Sequence, residues 1–170
     1  LVRDRIGEKP LYYGCQKGFF LFGSELKALK VHSSFEGEID RNAIALQLRH
    51  NCIPSPYSIY RGIRKLPPGT FISFKVPCGQ FKYADLPDPK PYWSLEDAIN
   101  RGLEKPFNGS DSDAVDELEN LLQDSMRQQM VADVPMGAFL SGGVDSSSVV
   151  ALMQSQSPRP VKTFSIGFSE

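Results

Sequence analysis

The sequence is short of several things, and each shortage removes a class of function. It holds 3 cysteines and 2 histidines in 170 residues. Cys15, Cys52 and Cys78 have no C-x-x-C spacing and no histidine cluster beside them, so neither a zinc site nor a disulfide framework is indicated. Three free thiols fit a reducing compartment, which points to the cytoplasm. His32 and His50 are isolated, without metal-ligand spacing, and read as surface or loop residues. No apolar run approaches the ~18 residues a membrane span needs. The opening LVRDRIGEKP has neither an initiator methionine nor the apolar core of a signal peptide, and KTFSIGFSE closes the chain on a strand-like run. The chain therefore reads as an internal fragment. Charge of one sign is missing too. With 19 Lys+Arg against 20 Asp+Glu, the net charge of −1 gives no general attraction to nucleic acid or anionic lipid.

What is present is ordinary globular material, 41% hydrophobic, enough for one domain or two partial ones. The first third is β-like: Leu11–Tyr13 before Gly14, and Phe19–Phe22 after Gly18, are apolar runs bounded by glycine. SELKALKVH suits a short helical turn, and residues 40–50 a helix that Asp40 caps and Asn51 ends. IPSPYSIYRGIRKLPPGT is too apolar for free coil and reads as an ordered loop, while FISFKV (71–76) alternates as a strand. Arg3, Asp4 and Arg5 read as structural ion pairs and a turn around Gly7. The aromatics near YRGI and FISF have no basic patch beside them, so core packing accounts for them better than nucleic acid.

Residues 84–110 are proline-rich and close on NGSDSD, which sets the boundary: a first domain over 1–92, a linker over 93–110 and a second domain over 111–170. Past it, Ser112 or Asp111 would cap a helix from Asp113 to Met130. The stripe Val115, Leu118, Leu121, Leu122, Met126 and Met130 would be core. PMGAFL (135–140) reads as a strand, SGGVDSS as a turn, 146–154 as a helix and VKTFSIGF (161–168) as a second strand. Strand, turn, helix and strand make a βαβ unit, the building block of parallel sheets.

Ser141-Gly142-Gly143-Val144-Asp145-Ser146-Ser147 stands where strand passes to helix. Adjacent glycines let the backbone come close to a ligand, and the helix start offers unpaired N–H groups with about half a positive charge. Ser141, Ser146 and Ser147 add hydroxyls, completing a cradle suited to phosphate at the carboxyl end of a parallel strand. No Lys-Ser/Thr pair follows, so it is not a Walker loop. Asp145 would repel phosphate unless a cation lay between them, and Mg²⁺ accepts carboxylate plus phosphate ligands.

SGGVDSS resembles the pyrophosphate-binding loop of the N-type ATP pyrophosphatases. MVADVPMGAFLSGGVDSSSVVALM and VKTFSIGF resemble the start of the synthetase domain of the glutamine-hydrolysing asparagine synthetases. RDRIGEKPLYYG, FLFGSELKAL and IYRGIRKLPPGT resemble the later part of that family's glutaminase domain. The resemblance implies the end of an N-terminal-nucleophile-type α/β/β/α glutaminase fold followed by the start of a parallel α/β ATP-pyrophosphatase domain. It implies ATP contacts at Leu140, Ser141, Gly142, Gly143, Asp145, Ser146, Ser147 and Ile166, with Mg²⁺ at Asp145. The implied partners are small molecules, namely ATP, glutamine and aspartate, and a homodimer is compatible with them. The implied reaction adenylates aspartate and amidates it with ammonia from glutamine, giving asparagine, AMP and pyrophosphate. The implied catalytic cysteine lies upstream, so no residue here is a catalytic nucleophile and the chain alone would be silent. The alternatives are amidation of a sugar acid, peptide or antibiotic precursor, adenylation of tRNA for thiolation, and a non-catalytic ATP-binding module.

Overall fold

The computed structural model describes residues 1–75, 81–82 and 85–167 and divides the chain into two compact units, Leu1–Glu104 and Lys105–Glu170. Mixed α/β architecture holds in both. The strand expected over 71–76 and that over 161–168 each run past the described residues at their far ends, and Cys78 lies outside them.

The first unit is built on an antiparallel sheet in the order β2 (Phe19–Gly23), β1 (Tyr12–Gln16), β3 (Ile63–Lys65). Its register pairs Tyr13 with Phe22 and Arg64, and Gly14 with Leu21 and Ile63. Side chains alternate across a pleated strand, so this register sorts them into two clusters. Tyr13 joins Leu66 and Ile72, with Phe20 and Phe74 against them; Leu21 and Ile63 join Leu29, with Tyr12, Phe35 and Tyr60. Phe20, Phe74 and Phe81 meet ring to ring at 5.0–5.2 Å, so these aromatics do serve the core. The loop expected over 53–70 contains β3. Its Arg-Lys pair between prolines hides the strand, which only pairing with β1 reveals.

Helix α1 (Leu26–Lys30) follows β2 and buries Leu29. In α2 (Arg41–His50) the Asp40 carboxylate accepts the Asn42 amide, and Asn51 ends the helix in the left-handed region at φ 55°. Buried Gln16 ties separate segments together: its Nε2 donates to the Arg61 carbonyl at 2.9 Å, and its Oε1 accepts the Glu36 amide at 2.8 Å. Strand β4 (Thr70–Phe71) pairs antiparallel with β5 (Lys90–Pro91). It stops at Phe71 because the next amide, of Ile72, goes to the Leu1 carbonyl instead of extending the ladder. The stretch read as linker contains α3 (Leu95–Glu104), whose Leu95, Ile99 and Leu103 stay exposed.

The Arg3–Asp4–Arg5 expectation is half right. The turn around Gly7 exists, but the ion pairs do not, among the described residues. The Arg3 guanidinium donates to the carbonyls of Leu66, Gly7 and Lys9 at 2.8, 2.8 and 3.0 Å. The Asp4 carboxylate accepts the amides of Glu8, Lys9 and Gly7, and the Glu8 bond above all holds it below the ordinary carboxylate value. A carboxyl group depressed on folding contributes stability above its unfolded value, lost as pH falls through the folded one. Unfolding midpoints of the wild type will therefore drop on acidification below about pH 4 more than those of Asp4→Asn, which lacks the titrating group.

The second unit holds α4 (Asp111–Gln129), β6 (Gly137–Phe139), α5 (Val144–Ser155) and β7 (Lys162–Phe164). β6 and β7 run parallel in the register Gly137↔Lys162, Ala138↔Thr163 and Phe139↔Phe164, joined by α5, as a βαβ unit requires. α4 starts earlier than expected. Ser110 is the cap, its Oγ accepting the Asp113 amide while the Asp113 carboxylate accepts the Ser110 amide in a reciprocal capping box. That arrangement, led by the Ser110 hydroxyl, holds Asp113 below the ordinary carboxylate value. Ser110→Ala removes it and will cost about 1 kcal/mol, read as a lower denaturant midpoint. The apolar stripe of α4 is not core here. Val115, Leu118 and Leu121 are 63%, 57% and 60% exposed, because among the described residues only α5 and a two-stranded sheet are available to cover it. A hydrogen bond of 3.0 Å from the Gln156 amide group to the Gln123 carbonyl links α4 with the end of α5.

Candidate functional site

Seven of the eight expected site residues lie in one turn between β6 and α5, and the parallel pairing brings up the eighth. The Leu140 amide donates to the Phe164 carbonyl at 2.8 Å, extending the β6–β7 ladder one step. The register Phe139↔Phe164, carried two residues further, puts Ile166 level with Ser141. Ile166 is 78% exposed there, whereas Leu140 is half-buried.

Beyond Leu140 the chain turns sharply. Gly142 sits at φ 84°, in the left-handed region, and a Cβ there would meet nothing within 4 Å. Glycine is thus needed for backbone geometry, leaving open space on that side of the turn. Gly143 is the N-cap of α5 at φ −80°, ψ 162°, and with no side chain it leaves the helix start uncapped. The amides of Val144, Asp145 and Ser146 have no preceding turn to bond to. The contrast with α4 is direct: Ser110 and Asp113 close that helix start, while nothing closes this one.

Hydroxyls fix the turn's shape. The Oγ atoms of Ser141 and Ser146 lie 3.0 Å apart, and Ser146 Oγ also accepts the Ser141 amide at 3.3 Å. Ser146 and Ser147 both donate to the Gly143 carbonyl, at 3.1 and 2.9 Å. That directs the carbonyl oxygen into the helix and leaves the N–H side of the turn to a ligand. Ser165, which sequence reasoning passed over, donates its hydroxyl to the Leu140 carbonyl at 2.7 Å and clamps the two strand ends together. The only signal for it is a hydroxyl just after the apolar run KTF, too common a pattern to single out.

Asp145 is exposed in the first turn of α5 and forms no ion pair among the described residues. No group of three or more His, Cys, Asp or Glu could hold a metal among those residues. The donor set fits a cation only where a ligand's phosphates complete it, which is how Mg²⁺ is usually bound. The described cysteines stay outside this turn: half-buried Cys15 donates to the Phe81 carbonyl at 2.8 Å, with burial pushing its thiol up, and Cys52 is exposed in the first unit.

Chemically, the turn offers first-turn amides and three hydroxyls to an anion, with one carboxylate at its edge. Comparison with known proteins agrees with that chemistry. Residues 1–93 match the glutamine amidotransferase domain family, and residues 117–170 the asparagine synthase family. The chain is 37% identical over 98% of its length to a putative glutamine-hydrolysing asparagine synthetase of Methanocaldococcus jannaschii, spanning 30% of that protein. It is 32% identical over 99% of its length to asparagine synthetase 3 of Bacillus subtilis, spanning 26% of it. It is also 27% identical over 89% of its length to the amidase chyE of Penicillium rubens, spanning 20% of that protein. No described helix is long and apolar enough to cross a membrane. The two matched families, in this order and with these relatives along nearly the whole sequence, place the chain in the glutamine-hydrolysing asparagine synthetase family.

Proposed function

We propose that the chain contributes the end of the glutaminase domain and the ATP-binding start of the synthetase domain to a cytoplasmic enzyme that makes asparagine. One observation carries this reading: an uncapped helix start, opened by Gly142 and Gly143 and ringed by Ser141, Ser146 and Ser147, directly after a parallel strand. Helix N-termini of this kind bind phosphate groups.

In this reading the amides at the start of α5 and the three hydroxyls take the β- and γ-phosphates of ATP, and Leu140 and Ile166 flank the adenine. A carboxylate oxygen of aspartate attacks the α-phosphorus, and the bond to pyrophosphate breaks. Negative charge collects on the departing pyrophosphate, so donors fixed beforehand by the serine network lower the barrier without having to reorganise. Asp145 would hold Mg²⁺ against the phosphate oxygens, where the cation neutralises part of that charge. Ammonia then attacks the acyl carbon, AMP leaves with the former carboxylate oxygen, and a proton passes to solvent. Glutamine supplies the ammonia through a nucleophilic cysteine outside this chain.

The test is to incubate the full-length protein with Mg²⁺-ATP, aspartate and ammonia and identify the nucleotide released. AMP that forms only with aspartate supports the reading, while ADP, or no turnover, would overturn it. A second reading, in which the acceptor is another carboxylate, draws support from the likeness to the amidase chyE. It predicts AMP formation that ignores aspartate and follows a different acid.

A further inference from the structure

Away from the nucleotide turn, the first unit encloses a cavity of about 290 Å³ whose walls include Tyr12, Gln47, Asn51, Cys52, Ser58 and Lys65. The fold brings these groups together from three places. Lys65 and Tyr12 face each other across the β1–β3 pairing, and the ammonium lies 5.9 Å from the centre of the Tyr12 ring. Gln47 comes from α2, Asn51 ends that helix in its left-handed cap, and Cys52 follows immediately. Lys65 also donates to the carbonyl of Ile53.

Lys65 is an unusual lysine for this chain. It is half-buried, and among the described residues no carboxylate pairs with it. Burial lowers its pKa, the nearby charge of Arg3 adds to that, and Cys52 opposes it. At a given pH a larger share of Lys65 is therefore the neutral, nucleophilic amine than for an exposed lysine. Cys52 is a free thiol on the exposed side of the same cavity. A thiol open to solvent with an amine behind it is the order needed to receive an acyl group and pass it inward.

We propose that Cys52 and Lys65 form a paired thiol–amine modification site that takes a short acyl group from a small-molecule thioester. The Cys52 thiolate attacks the thioester carbonyl carbon, the bond to the donor sulfur breaks, and the donor leaves as a free thiol. The neutral Lys65 amine then attacks the acyl carbon on Cys52, the carbon–sulfur bond breaks, and an amide forms. Cys52 recovers its thiol proton, and no net redox change occurs. The Gln47 and Asn51 carboxamides on the cavity wall are donors for the oxygen that gains charge in both steps. This site is independent of the ATP chemistry.

The probe is acetyl-coenzyme A, added to the full-length protein, with acetylation at each lysine quantified by peptide mass spectrometry. Lys27, whose side chain is 84% exposed, serves as the internal reference. Lys65 will be acetylated in excess of Lys27, and Cys52→Ala will reduce its occupancy about tenfold while Lys27 is unchanged, the usual sense of an intramolecular advantage. Lys65→Arg will leave the acetyl group stranded on Cys52 as a hydroxylamine-labile thioester. Lys65 labelling no greater than Lys27, or labelling that ignores Cys52→Ala, would overturn the proposal. If Cys52→Ala shifts the unfolding midpoint, the Lys65→Arg arm decides, and no labile acetyl group on Cys52 refutes the pair.

Discussion

Replacing Asp145 with alanine in the full-length protein will lower ATP-dependent asparagine formation by about 10²–10³-fold, the usual cost of losing one preorganised stabiliser of transition-state charge, while glutamine hydrolysis persists. Asp145 is exposed, lies in the first turn of α5 and forms no ion pair among the described residues. Its removal costs the fold only a favourable interaction with the helix dipole, about 0.3–1 kcal/mol. A large loss of synthesis with little loss of stability is therefore the signature of a charge that acts on the ligand. Parallel steady-state assays of the two half-reactions, with a denaturation curve, check it. Equal loss of both activities would mark a folding defect, and unchanged synthesis would remove Asp145 from the nucleotide site.

The largest effect on stability will come from Gly14→Ala. Gly14 sits in the middle strand of the first sheet, opposite Ile63, and a Cβ there would lie 1.9 Å from the Gly62 carbonyl oxygen. That atom is backbone and cannot swing aside as the end of a side chain would. Accommodating the methyl group means pushing β3 away from β1, loosening Ile63 and, one residue along, the fully buried Leu66. The cost will fall at or above the upper end of the ~1–3 kcal/mol seen for overpacked cores, read as a lower denaturant midpoint. Gly102→Ala is the matching control. It lies in α3 with nothing within 4 Å of the added Cβ, so it will be neutral or stabilising by up to ~1 kcal/mol through helix propensity.

Local chemistry was legible wherever a few neighbouring residues decide the outcome. Asp40 and Asn51 bracket α2 because a capping carboxylate and a left-handed terminus are short-range events. Gly142, Gly143 and the three serines announce an open helix start for the same reason. Features that depend on distant partners were not legible. β3 is a strand because β1 lies beside it, not because Ile-Arg-Lys looks like one. Arg3 seemed to want an acid, yet three carbonyls of the same unit converge on its guanidinium. Ser110 outcompeted Ser112 as the cap because Asp113 could return the hydrogen bond. The stripe on α4 has the spacing of a core helix, but burial needs a covering surface as well as periodicity, and no described element supplies it.

The most direct test of the central claim follows one oxygen atom. If the nucleotide turn serves to activate aspartate by adenylation, the bond broken on amidation leaves a carboxylate oxygen on phosphorus. Full-length protein given aspartate labelled with oxygen-18 in its side-chain carboxylate, together with Mg²⁺-ATP and ammonia, should release AMP carrying one labelled oxygen. Unlabelled pyrophosphate should accompany it. Label found in inorganic phosphate with ADP as the nucleotide, or AMP without label, would contradict the account.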